Sequence, residues 1–172
     1  MISETDLKHL RRCVQLAAQA VAEGDEPFGS VLVSADGEVL AEDHNHVASG
    51  DNTQHPEFAL ARWAAANLSP EERSKATVYT SGEHCPMCAA AHGWVGLGRI
   101  VYASSSEQLV QWLTEMNVPL GRVRNLPIKA VIRNTIVDGP APDLASEIRR
   151  LHQEFYAKSY SSEESVETAS KN

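Results

Sequence analysis

The stretch SGEHCPMCAAAHGW, Ser81–Trp94, governs how the rest of the chain is read. It carries two of the three cysteines in the sequence, Cys85 and Cys88, with Pro86 directly after the first. Cys-x-x-Cys spacing serves three kinds of chemistry: a thiol redox pair, part of a structural zinc clip, or part of a catalytic metal site. A redox pair needs only the two sulfurs. A zinc site needs a third ligand, and a structural one a fourth, so the neighbouring residues must discriminate.

Proline is favoured at the first position of a helix, where its missing N–H is not needed. Pro86 therefore sets Cys85 at the mouth of a helix and Cys88 one turn inside, on the same face. Upstream, QHPEFALA repeats the device: Pro56 puts His55 just outside a helix and Glu57 second within it. Two helix N-termini would then present an imidazole, a carboxylate and two sulfurs. Their partial positive charge favours thiolate over thiol. One neutral histidine and two thiolates cancel the charge of a divalent zinc and leave a fourth position for water, the stoichiometry of a catalytic site. Zinc lowers the pKa of such a water toward ~7. Glu57 has the reach to shuttle protons at that water without being a ligand.

Outward from these motifs the chain alternates helix and strand. Residues 6–23 place Leu7, Leu10, Val14, Ala17, Ala18 and Val21 on one helical stripe ending at Gly24, with Ser3 and Asp6 as an N-terminal cap. Cys13 beside that stripe reads as a packed thiol. GSVLVSADGEVLAED is a hairpin around Ala35-Asp36-Gly37. Residues 44–54 form a polar loop in which His44 and His46 are expected to face solvent, and residues 57–67 are helical. A short helix follows Ser69-Pro70. ATVYTS is a strand, residues 86–95 a helix with His92 in its interior face, GRIVYAS a strand and SEQLVQWLTEM a helix. PIKAVIRNTIVDG reads as one or two strands, and DLASEIRRLHQEFYAKSY as a final amphipathic helix. The polar tail, residues 161–172, is expected to be disordered. The pattern predicts an α/β domain of three layers, a mixed sheet covered by helices on both faces.

Composition excludes several classes. The 172 residues, 42% hydrophobic, suffice for one core. No apolar run approaches the ~18 residues of a membrane span, and the N-terminus lacks the plan of a signal peptide. An odd, low cysteine count fits a reducing cytoplasm. The net charge of -8, with no basic block, disfavours nucleic acid as a partner.

His-x-Glu followed by Cys-x-x-Cys resembles the zinc-dependent cytidine deaminase superfamily. The resemblance extends over residues 6–158: GDEPFGSVLV is similar to the family's first strand entry, Asn45 in HNHVASGDNTQHPE to its base-holding asparagine, and GRIVYA to its next strand. CPMC with Trp94 six residues on, and the ending FYAKSY, look most like bacterial guanine deaminases, with tRNA adenosine deaminases as the neighbouring branch.

The resemblance implies a three-layer α/β/α cytidine-deaminase-like fold with about five strands, and a deaminase domain over residues 1–160. One zinc per subunit is expected on His55, Cys85 and Cys88, with Glu57 as general acid and base. The implied reaction is hydrolytic deamination of a guanine-like aminopurine or nucleoside by a cytoplasmic homodimer. The alternatives are tRNA-editing adenosine deamination and a cytosine- or cytidine-type pyrimidine reaction.

For substrate, Asn45 is the first candidate and Phe28, with Gly29, a pocket floor or simple core. Glu83 reads either as a contact to an exocyclic amine or as a surface charge, and Trp94 as a stacking ring or as helix packing. Glu154, Phe155 and Tyr160 either cover the site or pack the last helix. His84 stands where the family has proline, and Pro56 where it has alanine. His84 is a substrate contact, a competing ligand or an edge histidine. Residues 104–125 show no counterpart of the carboxylate that selects guanine.

Overall fold

The computed structural model describes the backbone of residues 1–169 and side chains through residue 158. Seven helices and five strands follow in chain order: α1 (Glu4–Glu23), β1 (Gly29–Val33), β2 (Val39–His44), α2 (Pro56–Asn67), α3 (Pro70–Lys75), β3 (Thr77–Gly82), α4 (Pro86–Val95), β4 (Arg99–Ser104), α5 (Ser106–Glu115), α6 (Ile128–Val131), β5 (Val137–Asp138) and α7 (Pro142–Ala169). A 3-10 turn, Val47–Ser49, interrupts the loop after β2. The strand order is β2-β1-β3-β4-β5, antiparallel across β1 and parallel from β3 onward. This is the mixed sheet that the sequence pattern predicts, with the five strands that the family resemblance implies.

Period-two alternation sends side chains of each strand to opposite faces. Val31, Val33, Tyr79, Val101 and Ala103 meet Leu10, Val14, Ala17 and Val21 of α1, Trp112 of α5 and Leu144, Ile148 and Leu151 of α7. On the other face Leu32 and Val78 pack against Leu60, Ala61 and Ala64 of α2, while Ile100 packs against Ala89 of α4 and Ile128 of α6. Truncating a fully buried residue such as Leu10 or Ile148 to alanine costs about 2–5 kcal/mol. Among the described residues no helix is long and apolar enough to cross a membrane.

Local chemistry sets the boundaries. Ser3 and Asp6 form the expected capping box on α1, and Ser69 with Glu72 forms another on α3. The hairpin turns at Gly37, whose φ of 86° suits a residue without Cβ. Residues 127–139 depart from the strands expected there. They hold one turn of helix and a two-residue strand, because Glu83 Oε1 accepts the Ile128 N–H at 2.8 Å and Ile128 is drawn into the core. The last helix runs on from the predicted segment to Ala169. The expectation for the tail, residues 161–172, falls on side chains, and from residue 170 on backbone, outside those described.

The topology explains why two distant motifs meet. Strands β2 and β3 are both antiparallel to β1, so they point the same way. The helices that follow them, α2 and α4, therefore begin at the same edge of the sheet, and the two pack against each other.

Candidate active site

His55 is the residue that flanks α2, with Pro56 at the first helical position, and Cys85 flanks α4 in the same way with Pro86. Neither flanking side chain is used to cap its own helix, so both are free to point across the gap between the two N-termini. The Nδ1 of His55 lies 3.6 Å from the Sγ of Cys85 and 3.6 Å from the Sγ of Cys88. A tetrahedral zinc with Zn–S ~2.3 Å and Zn–N ~2.0–2.1 Å has an N···S edge of about 3.6 Å. The spacing thus fits a single zinc among these three atoms, with a fourth direction left over.

Without the ion, the three groups perturb one another. A hydrogen bond with Cys88, then one with His55, brings Cys85 down to about 4. The Cys85 partnership pushes His55 up to about 9, against the effect of burial. Cys88 moves upward, because it donates to Cys85 and is buried. One thiolate beside an imidazolium is an arrangement ready to exchange protons for a cation.

Glu57 lies under this cluster and is buried. Its Oε1 accepts a 2.7 Å hydrogen bond from Thr80 Oγ1, and Thr80 in turn accepts from Ser30 Oγ at 3.0 Å. Its Oε2 lies 3.7 Å from Cys88 Sγ, on the side of the cluster. Burial raises the Glu57 pKa, and the His55 charge and the Thr80 hydroxyl partly offset that. A carboxylate oriented this way beside three metal-ligating atoms can carry protons. Thr80 and Ser30 escaped the sequence reading, although alternation along TVYTSG places Thr80 on the same face as Val78. Glu26 escaped it as well: burial raises its carboxyl, and it lies within electrostatic reach of His55 and Cys85.

The remaining predicted residues divide into those near the cluster and those committed elsewhere. Asn45 is fully buried; its Oδ1 accepts from the Val47 N–H, and its Nδ2 is a donor without a partner among the described residues. The Phe28 carbonyl accepts from the Asn45 N–H, and the Phe28 ring lies 2.9 Å from where a Cβ on Gly82 would sit. Gly29, next to it, packs against α1 so closely that a Cβ would meet Leu16 and the Cys13 carbonyl. Glu83 has both carboxylate oxygens occupied, by the N–H groups of Ser106 and Ile128, so it joins α5 and α6 to the end of β3. Trp94 stands 91% exposed near the end of α4, about 13 Å of helix from Cys85. It does not pack α4 against the sheet.

His84 is 1% exposed, edge-on to His92, and its imidazole is outside the group of atoms close enough to share an ion. His92 is interior as expected, with Nε2 on the Gly98 carbonyl. His44 departs from expectation: it is buried, its Nδ1 bonded to the Asn45 carbonyl and its ring against His46. Glu154 pairs with Lys158 and Arg150, and Phe155 packs on the core. The Tyr160 side chain lies outside those described. His152 of α7 contacts Phe28, with ring centroids 5.3 Å apart.

Residues 3–104 match the model of the cytidine and deoxycytidylate deaminase zinc-binding region. The "Probable cytosine deaminase" of Schizosaccharomyces pombe is 36% identical over 110 residues, 64% of this chain and 67% of that protein. The guanine deaminase of Bacillus subtilis is 39% identical over 97 residues, 55% of this chain and 62% of that protein. A solved structure from work on tRNA:A34 deaminases superposes with a TM-score of 0.62 at 24% identity, covering 84% of this chain and 99% of that one, which is a likeness of fold. The family region takes in both helix mouths and the four strands that hold them. The chain belongs to the cytidine and deoxycytidylate deaminase family, as an enzyme of the deaminase class with a site for one zinc ion.

Proposed function

We propose that the protein hydrolytically deaminates a small aminated nucleobase, with guanine-like aminopurines as the leading class. The observation that carries this reading is Glu57: a buried carboxylate fixed by Thr80, with its other oxygen 3.7 Å from the Sγ of Cys88 in the three-ligand cluster. His55, Cys85 and Cys88 would hold the zinc. When bound, it supplies the Lewis acidity that lets water attack at neutral pH. Glu57 takes the proton of the attacking water and delivers it to a ring nitrogen of the base. The water oxygen adds to the carbon bearing the amine; Glu57 then takes the remaining proton of that oxygen and passes it to the amine, and as the C–N bond breaks the oxygen becomes a carbonyl and ammonia leaves.

Asn45 and Phe28 supply the substrate side. The buried Nδ2 of Asn45, without a partner among the described residues, is a donor that a carbonyl or ring acceptor of the base would satisfy, and leaving it unsatisfied costs about 1–3 kcal/mol. The partly buried ring of Phe28 offers an apolar surface beside it. A second reading, a cytosine-type base, is favoured by the similarity to the Schizosaccharomyces pombe protein. A tRNA substrate fits the -8 charge poorly.

Ammonia release from zinc-loaded protein across guanine, other aminopurines, cytosine, their nucleosides and tRNA tests the proposal. Guanine or a related aminopurine should give the highest kcat/KM, and cytosine in first place would move the assignment to the second reading. Glu57→Ala should lose at least about 10²-fold in rate while retaining one zinc. Full activity in that variant would remove Glu57 from the mechanism.

A further inference from the structure

A second group of ligating side chains lies away from the cysteines. Glu23, Asp25, His44 and His46 each offer one ligand atom, and these atoms lie within 4.8 Å of one another. Two come from the end of α1 and the residue just past its cap, two from the end of β2 and the loop behind it. Asp25 is 5% exposed and His44 7% exposed, whereas Glu23 and His46 form the open rim.

The hydrogen bonds leave the ring nitrogens that a metal needs. His44 Nδ1 lies 2.9 Å from the Asn45 carbonyl, which can only accept, so Nδ1 carries a proton, and in the neutral ring the lone pair is on Nε2. That buried Nε2 faces the Glu23 carboxylate at 3.4 Å. His46 Nε2 lies 2.9 Å from Asp43 Oδ1, so in the neutral ring its lone pair is on Nδ1. Histidine ligands of metals are oriented in this way, by a carbonyl or a carboxylate on the far nitrogen. Asp25 Oδ1 is held by the Ala48 N–H at 2.7 Å, which fixes the second carboxylate.

Electrostatics favours a cation at the same spot. The C-terminus of α1 is the negative end of its dipole, and the helix has no basic residue in its last turn. It carries Glu23 there and Asp25 just beyond its αL glycine, Gly24. Two carboxylates at the negative end of a 20-residue helix repel each other and the dipole unless a positive charge lies between them.

We infer that Glu23, Asp25, His44 and His46 form a second divalent-metal site, of the closed four-ligand type, independent of the cysteine cluster. Two neutral imidazoles and two carboxylates balance a 2+ ion, and the mixed N and O donors suit a first-row cation, Zn²⁺ above all. Asn45 lies between the two histidine ligands, so the ion would clamp the loop that carries it to the end of α1.

Titration of the untagged, metal-stripped full chain with Co²⁺ as the probe tests this. Two equivalents are expected: one with sulfur-to-cobalt charge transfer from the cysteine cluster, and one showing only the weaker ligand-field bands of nitrogen and oxygen donors. His46→Gln, at the open rim, and separately Asp25→Asn should abolish the second and keep the first. Cys85→Ser should do the reverse. A single equivalent in the wild-type chain, or a second that survives both His46→Gln and Asp25→Asn, would overturn the site. Loss of deaminase activity with both equivalents intact would count against the catalytic reading alone.

Discussion

Glu57 has to keep a usable proton acceptor in a place where burial disfavours its charge. The Thr80 hydroxyl is what the fold provides for it, in a hydrogen bond of 2.7 Å to a charged group. Such bonds contribute about 1.5–3 kcal/mol, and every ~1.4 kcal/mol at a transition state is tenfold in rate. Thr80→Val keeps the shape and removes the donor, so kcat should fall by roughly 10–100-fold with zinc content unchanged. Thr80→Ser should restore most of the loss, since it restores the hydroxyl. Wild-type turnover in the valine variant would mean that Glu57 is oriented without Thr80. The hydroxyl of Thr80 also receives from Ser30, which makes β1 and β3 joint supports of one carboxylate.

At the scale of elements, what could be read in advance is the work of two prolines. Pro56 and Pro86 mark where α2 and α4 begin, and with them the positions of His55, Glu57, Cys85 and Cys88. What could not be read depends on partners far along the chain. Glu83 looked like a pocket charge or a surface charge, yet it terminates two backbone segments, 23 and 45 residues away. Because it does so, residues that pattern as strand form the turn of α6. His44 looked exposed because its loop is polar, but Asn45 and His46 close over it. Asp6 shows the same principle across the other face. It caps α1 and also accepts from Tyr79 of β3 at 2.8 Å and from Arg99 of β4 at 2.7 Å. Burial alone would raise the Asp6 carboxyl, but the hydrogen bonds from Arg99, Ser3 and Tyr79 hold it well below the usual range. A depressed carboxyl contributes stability that is complete above its unfolded pKa of ~3.9 and is lost as pH falls through the folded value. Asp6→Asn leaves Arg99 half-paired. With that guanidinium partly exposed, the expected loss at pH 7 is about 2–3 kcal/mol, below the usual figure for a fully buried pair. Urea unfolding at pH 7 reads this directly, and an unchanged midpoint would show that Asp138, the other partner of Arg99, suffices.

For the molecule as a whole, a buried imidazole of α7 reaches the strand entry beside the candidate site. His152 is 1% exposed, with Phe28 edge-on at 5.3 Å, Trp112 at 6.0 Å and Tyr156 stacked at 6.4 Å. Burial brings it down to about 3. In the unfolded chain it titrates near 6.5, so below that pH the unfolded state takes up a proton that the folded state refuses. The stabilising contribution is therefore complete above about pH 6.5 and is lost progressively as pH falls toward 3. Each pH unit in that window costs at most ~1.4 kcal/mol, so between pH 7 and 5.5 this one ring should remove about 1 kcal/mol. His152→Leu keeps an apolar side chain in the same space and cannot titrate. Its stability should accordingly drop by about 1 kcal/mol less than that of the wild type over the same interval. Measuring both chains in the same zinc-saturated buffer cancels the pH dependence of metal binding at His55, which the two share. Equal slopes would show that the imidazole between α7 and Phe28 accepts its proton inside the folded protein.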